Sequence, residues 1–236
     1  MTFEVLRNKS QIAAARSILK RRGLSFATPG WKQWLQQRGM ASGFRIGDEL
    51  KSWDVLKTIE FIESYTAKDA AILDIGAFAS EVPLILHQLG RSNICGVDLN
   101  PRLLQMPFSG EVDYRISDFM RTPYPDAKFS AITAISVIEH GFDAEKLACE
   151  VGRLLKPRGF FIASMDYWSD KLSTDNIKLF DMSWTIFSAA EIRSFVELAS
   201  QHGLQPFGSL QFDGVQRPIT CLDRDYTFGW LVLQKQ

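Results

Sequence analysis

Five acidic residues and one histidine stand where short apolar runs of this chain give way to turns. The run AAILDI carries Asp74 and leads through Ile75 into Gly76, a residue that lets the backbone turn sharply and approach a ligand closely. NICGVDL carries Asp98, 22 positions beyond Gly76, followed by Leu99. That spacing suits an acid at the end of a second strand that accepts hydrogen bonds from both hydroxyls of a ribose. VDYRIS leads into Ser117-Asp118-Phe119, a carboxylate able to accept from a purine amine beside a ring able to meet the base. FSAITAIS ends at Ser136, with Glu139-His140 close behind, and GFFIASMD ends at Asp166. Histidine is the side chain most easily used as a base near neutrality, so Glu139, His140 and Asp166 form a candidate catalytic rim. Each motif also has an ordinary reading: Ser80 capping a helix after a plain turn, Asp98 capping the next helix at Asn100-Pro101, and Glu139-His140 bonding the following loop.

The elements that must carry these residues follow from periodicity. Near-continuous apolar runs separated by helical stretches, such as Glu81 to Leu89 and Ala144 to Leu155, indicate a parallel sheet covered on both faces. In such a doubly wound α/β fold, ligands bind at the carboxyl ends of the strands, where all the motifs above fall. Before Ala70 the pattern is helical, over Ser10 to Arg22, Trp31 to Arg38 and Ser52 to Tyr65, with turns at Gly23 and Gly39 to Gly47. After a helix over Ala189 to His202, the runs LQPFGSLQF and YTFGWLVLQ have no helical pattern between them and are expected to pair antiparallel. The expectation is a mostly parallel seven-stranded sheet with an antiparallel last strand. A helical extension or lid (1–51) precedes the main domain (52–236).

Bulk properties narrow the partners. Lysine plus arginine and aspartate plus glutamate balance at 27 each among 236 residues, so no net charge draws the protein to nucleic acid or an anionic membrane. The run Lys20-Arg21-Arg22 is expected to close a helix. Cys95, Cys149 and Cys221 are odd in number and lack CxxC spacing, which suggests buried reduced thiols and a cytoplasmic setting. No apolar run approaches the roughly 18 residues of a membrane span. A small-molecule partner is expected, with a homodimer left open.

From about Ser52 onward the chain resembles the class I S-adenosylmethionine-dependent methyltransferases, on the motifs LDIG, GVDLN, ISDF, PYPDAKFSAITAISVIEH and EVGRLLKPRGFFIAS. The resemblance implies S-adenosyl-L-methionine as cofactor and S-adenosyl-L-homocysteine as product. It places Asp74, Gly76, Ala77 and Phe78 in the cofactor loop, Asp98 and Leu99 at the ribose, Asp118 and Phe119 at the adenine, and Ser136 beside them. Phe78 and Ser80 replace two glycines of the family's loop, and Arg158 replaces the first glycine of LLKPGG. No metal is expected, because Ser136 stands where the first glutamate of a cation-binding ExxEH motif would be. Transfer to oxygen is favoured, and DYW and SWTIF are similar to segments of methyltransferases of carbohydrate biosynthesis. Tyr167, Trp168, Lys171, Asp175 and Trp184 either stack on a hydroxylated acceptor or anchor a structural loop, while Trp31, Trp34 and Trp53 are placed to close from the other side. Two other readings remain: a non-catalytic methyltransferase-like cofactor-binding or partner module, prompted by Phe78 and Ser80, and an NAD oxidoreductase, disfavoured by the missing GxGxxG.

Overall fold

A computed structural model describes residues 3–38, 43, 45–179 and 181–236. Strand β1 (Phe3–Val5) precedes helices α1 (Lys9–Arg21), α2 (Gly30–Gln37) and α3 (Ser52–Tyr65). Then follow β2 (Ile72–Ile75), α4 (Val82–Gln88), β3 (Ile94–Asp98), β4 (Asp113–Ile116), β5 (Phe129–Ile135), α5 (Ala144–Leu154) and β6 (Leu155–Tyr167). The chain closes with β7 (Lys178–Leu179), β8 (Met182–Ser183), α6 (Ala189–Gln201), β9 (Leu204–Pro206), β10 (Ile219–Cys221) and β11 (Arg224–Lys235). The glycine-rich turn expected over 39–47 lies largely outside the described residues.

Seven strands cross the sheet in the order β1-β11-β6-β5-β2-β3-β4, and short β9 and β10 also pair with β11. The strands from β4 to β6 are parallel, and β11 runs antiparallel to β6 from Thr227↔Tyr167 to Gln234↔Phe160. Strand order reverses between β2 and β5, which is where this architecture opens a crevice for a ligand. One apolar cluster joins α1, α3 and α4 to one sheet face through Leu19, Ile59, Leu84 and Ile72. A second joins α5 and α6 to the other through Val151, Phe195, Leu73 and Ile75. Burial on both faces explains why the strands read as continuous rather than alternating apolar runs.

The expected pairing of the last two runs is present as β9 against β11. Two features depart from the sequence reading. The segment ahead of α1 is a strand, not part of a helical preface: Phe3 sits opposite Leu231 and Val5 opposite Gly229. A three-residue strand is too short to show periodicity, so it escapes a pattern search. The thiols also differ. Cys95 is buried, but Cys149 is exposed on α5 and Cys221 is half-buried, all three being free. Cys149 follows Leu147 and Ala148 on the helix but points away from the face they bury.

Candidate functional site

The carboxyl ends of β2 and β3 hold a glycine turn and its facing acid. Gly76 has φ +70, and a Cβ there would lie 2.4 Å from Val137 Cγ2, so both the turn and the close approach demand glycine. The next left-handed residue is Ala79, at φ 64. Phe78 and Ser80, which stand where the family's other glycines fall, are not left-handed, so this backbone does not require glycine at either position. The Phe78 amide donates to Asp98 Oδ2 at 3.0 Å, and the Asn100 amide donates to Asp98 Oδ1 at 2.8 Å. Each oxygen spends one lone pair on the loop and keeps another. The Phe78 ring packs on the apolar cluster of α1, α3 and α4. Ser80 Oγ accepts from the Val82 amide at the start of α4, the helix-starting role its sequence position suggests. Asp74 is fully buried, and its Oδ1 accepts from the Thr133 hydroxyl at 2.5 Å while Oδ2 has no partner. Burial pushes its carboxyl up to about 7. Ala77 is buried beside it, while Leu99 and Asp118 are exposed and Phe119 is half-buried at the ends of β3 and β4. Asp118 Oδ1 is engaged by the Met120 amide at 2.9 Å.

The second group lies past β5 and β6. Ser136 takes a left-handed conformation at φ 58 and donates from its hydroxyl to Glu139 Oε1 at 2.5 Å. Glu139 is wholly buried with Oε2 unpartnered. Asp166 Oδ2 accepts from Trp184 Nε1 at 2.8 Å. Between these carboxylates stands Lys51, whose Nζ is 3.4 Å from Asp166, 4.0 Å from Glu139, 4.0 Å from Asp54 and 3.3 Å from the Phe228 ring centroid. Asp54 Oδ2 accepts from Ser164 Oγ at 2.7 Å, and its Oδ1 has no partner. Burial raises Asp54 to about 6, with Lys51 opposing. Glu139 is pushed above the carboxylate range by burial and by Asp166. His140 is held below its usual value by burial, with Lys51 adding and Asp166 opposing, so its imidazole is neutral at neutral pH.

A protein family described as a methyltransferase domain matches residues 73–163, which contain the first group and, of the second, Ser136, Glu139 and His140. Curated relatives include a sterol 24-C-methyltransferase of Neurospora crassa, 25% identical over 69% of this chain and 44% of its own length. A second, from Gibberella zeae, is 30% identical over 66% of this chain and 38% of its own. The chain thus spans less than half the length of these relatives. Among solved structures, geranyl diphosphate C-methyltransferase of Streptomyces coelicolor, in complex with Mg2+, geranyl-S-thiolodiphosphate and S-adenosyl-L-homocysteine, superposes with a TM-score of 0.60 at 13% identity. It covers 96% of this chain and 98% of that one. Over residues 73–163 the chain is therefore similar to a methyltransferase domain, and it shares its fold with an S-adenosyl-L-homocysteine-bound methyltransferase.

The first group fits that methyltransferase family's cofactor. Its signs are a glycine whose missing Cβ leaves room at the turn, a half-buried acid with free lone pairs on the next strand, and the orphaned Asp74 oxygen beneath. The aromatic connection after β6 does not serve as an acceptor platform in the way its composition suggests. Tyr167 is fully buried with its hydroxyl donating to the Phe212 carbonyl, and Trp184 is 2% exposed. Lys171 is paired with Glu191 at 2.8 Å, and Asp175 accepts from Ser173. Trp168 is half-buried under Arg217, and Trp53 is core. Tyr167, Lys171, Asp175 and Trp184 have internal partners for their polar ends, which fits anchors of the loop. Trp31 and Trp34 remain 67% and 50% exposed on α2.

Sequence reasoning missed Lys51 and Asp54 of the second group. The available signal was Asp54 inside the apolar stretch of α3, on the same helical face as Thr58 and Phe61. It also missed Arg16, which grips Glu81 at the start of α4 through Nη1 at 2.9 Å and Nη2 at 2.7 Å, with 6% and 1% of the two side chains exposed. Glu81 Oε2 also accepts from the amides of Phe26 and Ala27. The segment before β2 is thereby tied to the cofactor turn, and again where the Gly47 amide donates to Ala79 O at 2.7 Å.

Proposed function

We propose that this chain is a methyltransferase that uses S-adenosyl-L-methionine to methylate an oxygen of a small hydroxylated acceptor. The observation that carries this reading is the placement of His140 at the strand-end rim, half-buried, one residue from Glu139 and within electrostatic reach of Asp166, on the side of the sheet ends opposite Asp98, where burial favours its neutral form. When bound, the cofactor supplies an electrophilic methyl group on a sulfonium. Asp98 receives the ribose hydroxyls, Asp118 and Phe119 meet the adenine, and Asp74, Gly76, Ala77, Phe78, Leu99 and Ser136 shape the loop around the rest. His140 takes the proton that an acceptor hydroxyl loses as it becomes nucleophilic, a step worth about 100- to 10,000-fold in rate for a positioned base. Asp166 steadies the charge that forms on its ring, and Glu139 fixes the loop before it through the Ser136 hydroxyl. The buried positions of Tyr167 and Trp184 remove the stacking argument for a sugar, so the acceptor is described by its hydroxyl alone.

A second reading is transfer to carbon. It is supported by the names of the relatives and the structural neighbour, which are C-methyltransferases acting on sterols and geranyl diphosphate. Incubation with 13C-methyl-labelled cofactor and a panel of hydroxylated and prenyl- or sterol-type acceptors separates the two, because methyl carbons on oxygen and on carbon resonate far apart. A methoxy product lost in His140→Ala, with the affinity for S-adenosylhomocysteine kept, is the expected result. A carbon-bound methyl overturns oxygen transfer. Failure to bind S-adenosylhomocysteine at millimolar concentration overturns the enzyme reading in favour of a non-catalytic module.

A further inference from the structure

Lys51 stands at the buried end of the rim and comes from ahead of residues 73–163, from a short 3-10 turn (Glu49–Lys51) that leads into α3. Its ammonium is within 4.0 Å of three carboxylates from three different elements: Asp54 on α3, Glu139 after β5 and Asp166 on β6. The Phe228 ring of β11 closes the fourth side at 3.3 Å. Only 14% of its side chain is exposed, so the pair partners are little screened by water. The cage is not saturated. Asp54 Oδ1 and Glu139 Oε2 are buried without partners, so the carboxylates depend on this single cation for their compensation.

We propose that Lys51 is a positioning residue of the transfer site, holding Glu139 and Asp166 in place beside His140. The proposal rests on the reading of His140 as the proton acceptor. Around the ammonium the charged and titratable groups are Asp54, Glu139 and Asp166, with His140 beyond them and with Tyr226 and Cys221 facing Asp166. The sign at His140 follows from charge. A cation beside an imidazole disfavours its protonation, so removing Lys51 raises the pH at which His140 titrates, and the acid limb of the pH–rate profile moves up with it.

The test is Lys51→Met, Lys51→Gln and Lys51→Arg in the full chain bound to S-adenosylhomocysteine. The chain has three histidines, so the His140 imidazole is assignable by NMR through its loss in His140→Asn. In Lys51→Met and Lys51→Gln the His140 titration moves to higher pH, turnover falls by about tenfold or more, and cofactor affinity stays within about twofold. Lys51→Arg restores the titration and most of the turnover. Unchanged His140 titration in both uncharged variants overturns the proposal. The wild-type protein supplies an arm that needs no variant: an ammonium held by three carboxylates exchanges its Nζ protons slowly, and fast exchange also overturns it. The titration and exchange readouts need no acceptor. A shifted titration in a protein without methyl transfer would reject the enzyme reading and leave Lys51 as a structural cation.

Discussion

Asp74 stores a pH dependence that is independent of any ligand. Burial raises its folded-state value to about 7, with Asp98 adding and the hydroxyls of Thr133 and Ser80 opposing. An unfolded aspartate titrates near 3.9. The folded protein therefore keeps a proton that the unfolded chain gives up, and this contribution is full below about pH 4, fades as pH rises to 7 and is gone above it. Asp74→Asn removes the penalty, so its urea midpoint exceeds the wild-type one at pH 8 and converges with it near pH 4. A shift of about three units corresponds to a gap on the order of 4 kcal/mol at most. Parallel curves for the two proteins would show that Asp74 does not titrate in this range. At the same scale, Arg158 holds a left-handed φ of +65 on an exposed turn at the start of β6. The resemblance puts a glycine of LLKPGG at this position, and the left-handed backbone here is one that glycine adopts without cost. Arg158→Gly relieves about 1–2 kcal/mol of conformational cost, partly offset by the freedom glycine adds to the unfolded chain. The expected result is a melting temperature about 2–4 °C higher. The strand-end acids were legible from sequence because each sits at a boundary between an apolar run and a turn. Lys51 and Asp54 were not, because the pair's other neighbours in space are 88 to 177 positions away in sequence, and no local pattern encodes that meeting.

Among the elements, the segment of α1 to α3 is fastened rather than laid on. Arg16 of α1 and Glu81 at the head of α4 form a buried two-pronged pair, and the Glu81 carboxylate also holds the amides of Phe26 and Ala27. A Cβ on Gly47 would come within 2.6 Å of the same carboxylate, so glycine is needed where the chain passes it. Arg16→Met leaves Glu81 charged and uncompensated and is expected to lower stability by about 3–5 kcal/mol. Equilibrium urea unfolding reads this, and a loss below about 1 kcal/mol would mean that water reaches Glu81. Arg16→Met combined with Glu81→Leu recovers part of the loss, because no buried charge is then stranded. The helices here were readable from 3.6-residue periodicity and their ends from capping residues: Asn8 caps α1 by accepting from the Gln11 amide. What the helices attach to was not readable, since one arginine on a helix face looks the same whether it meets water or a glutamate 65 residues on.

Over the whole molecule the equal counts of basic and acidic residues hide a segregation. Between Val5 and Gly47 there are nine basic residues and no acidic ones, which leaves the rest of the chain with an acidic excess of nine. Only Arg16 among the nine is buried. The protein therefore behaves at close range as a dipole, and at pH 7 and low ionic strength it is retained on a cation exchanger despite a formal net charge of zero. Retention fades as salt shortens the screening length to about 8 Å near 0.15 M, and flow-through at low salt would show that the acidic excess masks the basic segment. The architecture itself was legible at this scale, because a doubly wound sheet announces itself in alternating runs. The strand that completes its edge was not, and that strand has a consequence in time. Val5 is paired with Gly229, Leu6 bonds Phe228 through its amide, and Thr227 donates to the Leu6 carbonyl. A ribosome adding about 5–20 residues per second needs on the order of 10–45 s to reach that partner after making β1. Strand β1 is thus seated only after β11 has been made, and the segment that carries Lys51 into the rim waits that long for the edge against which it will be fixed.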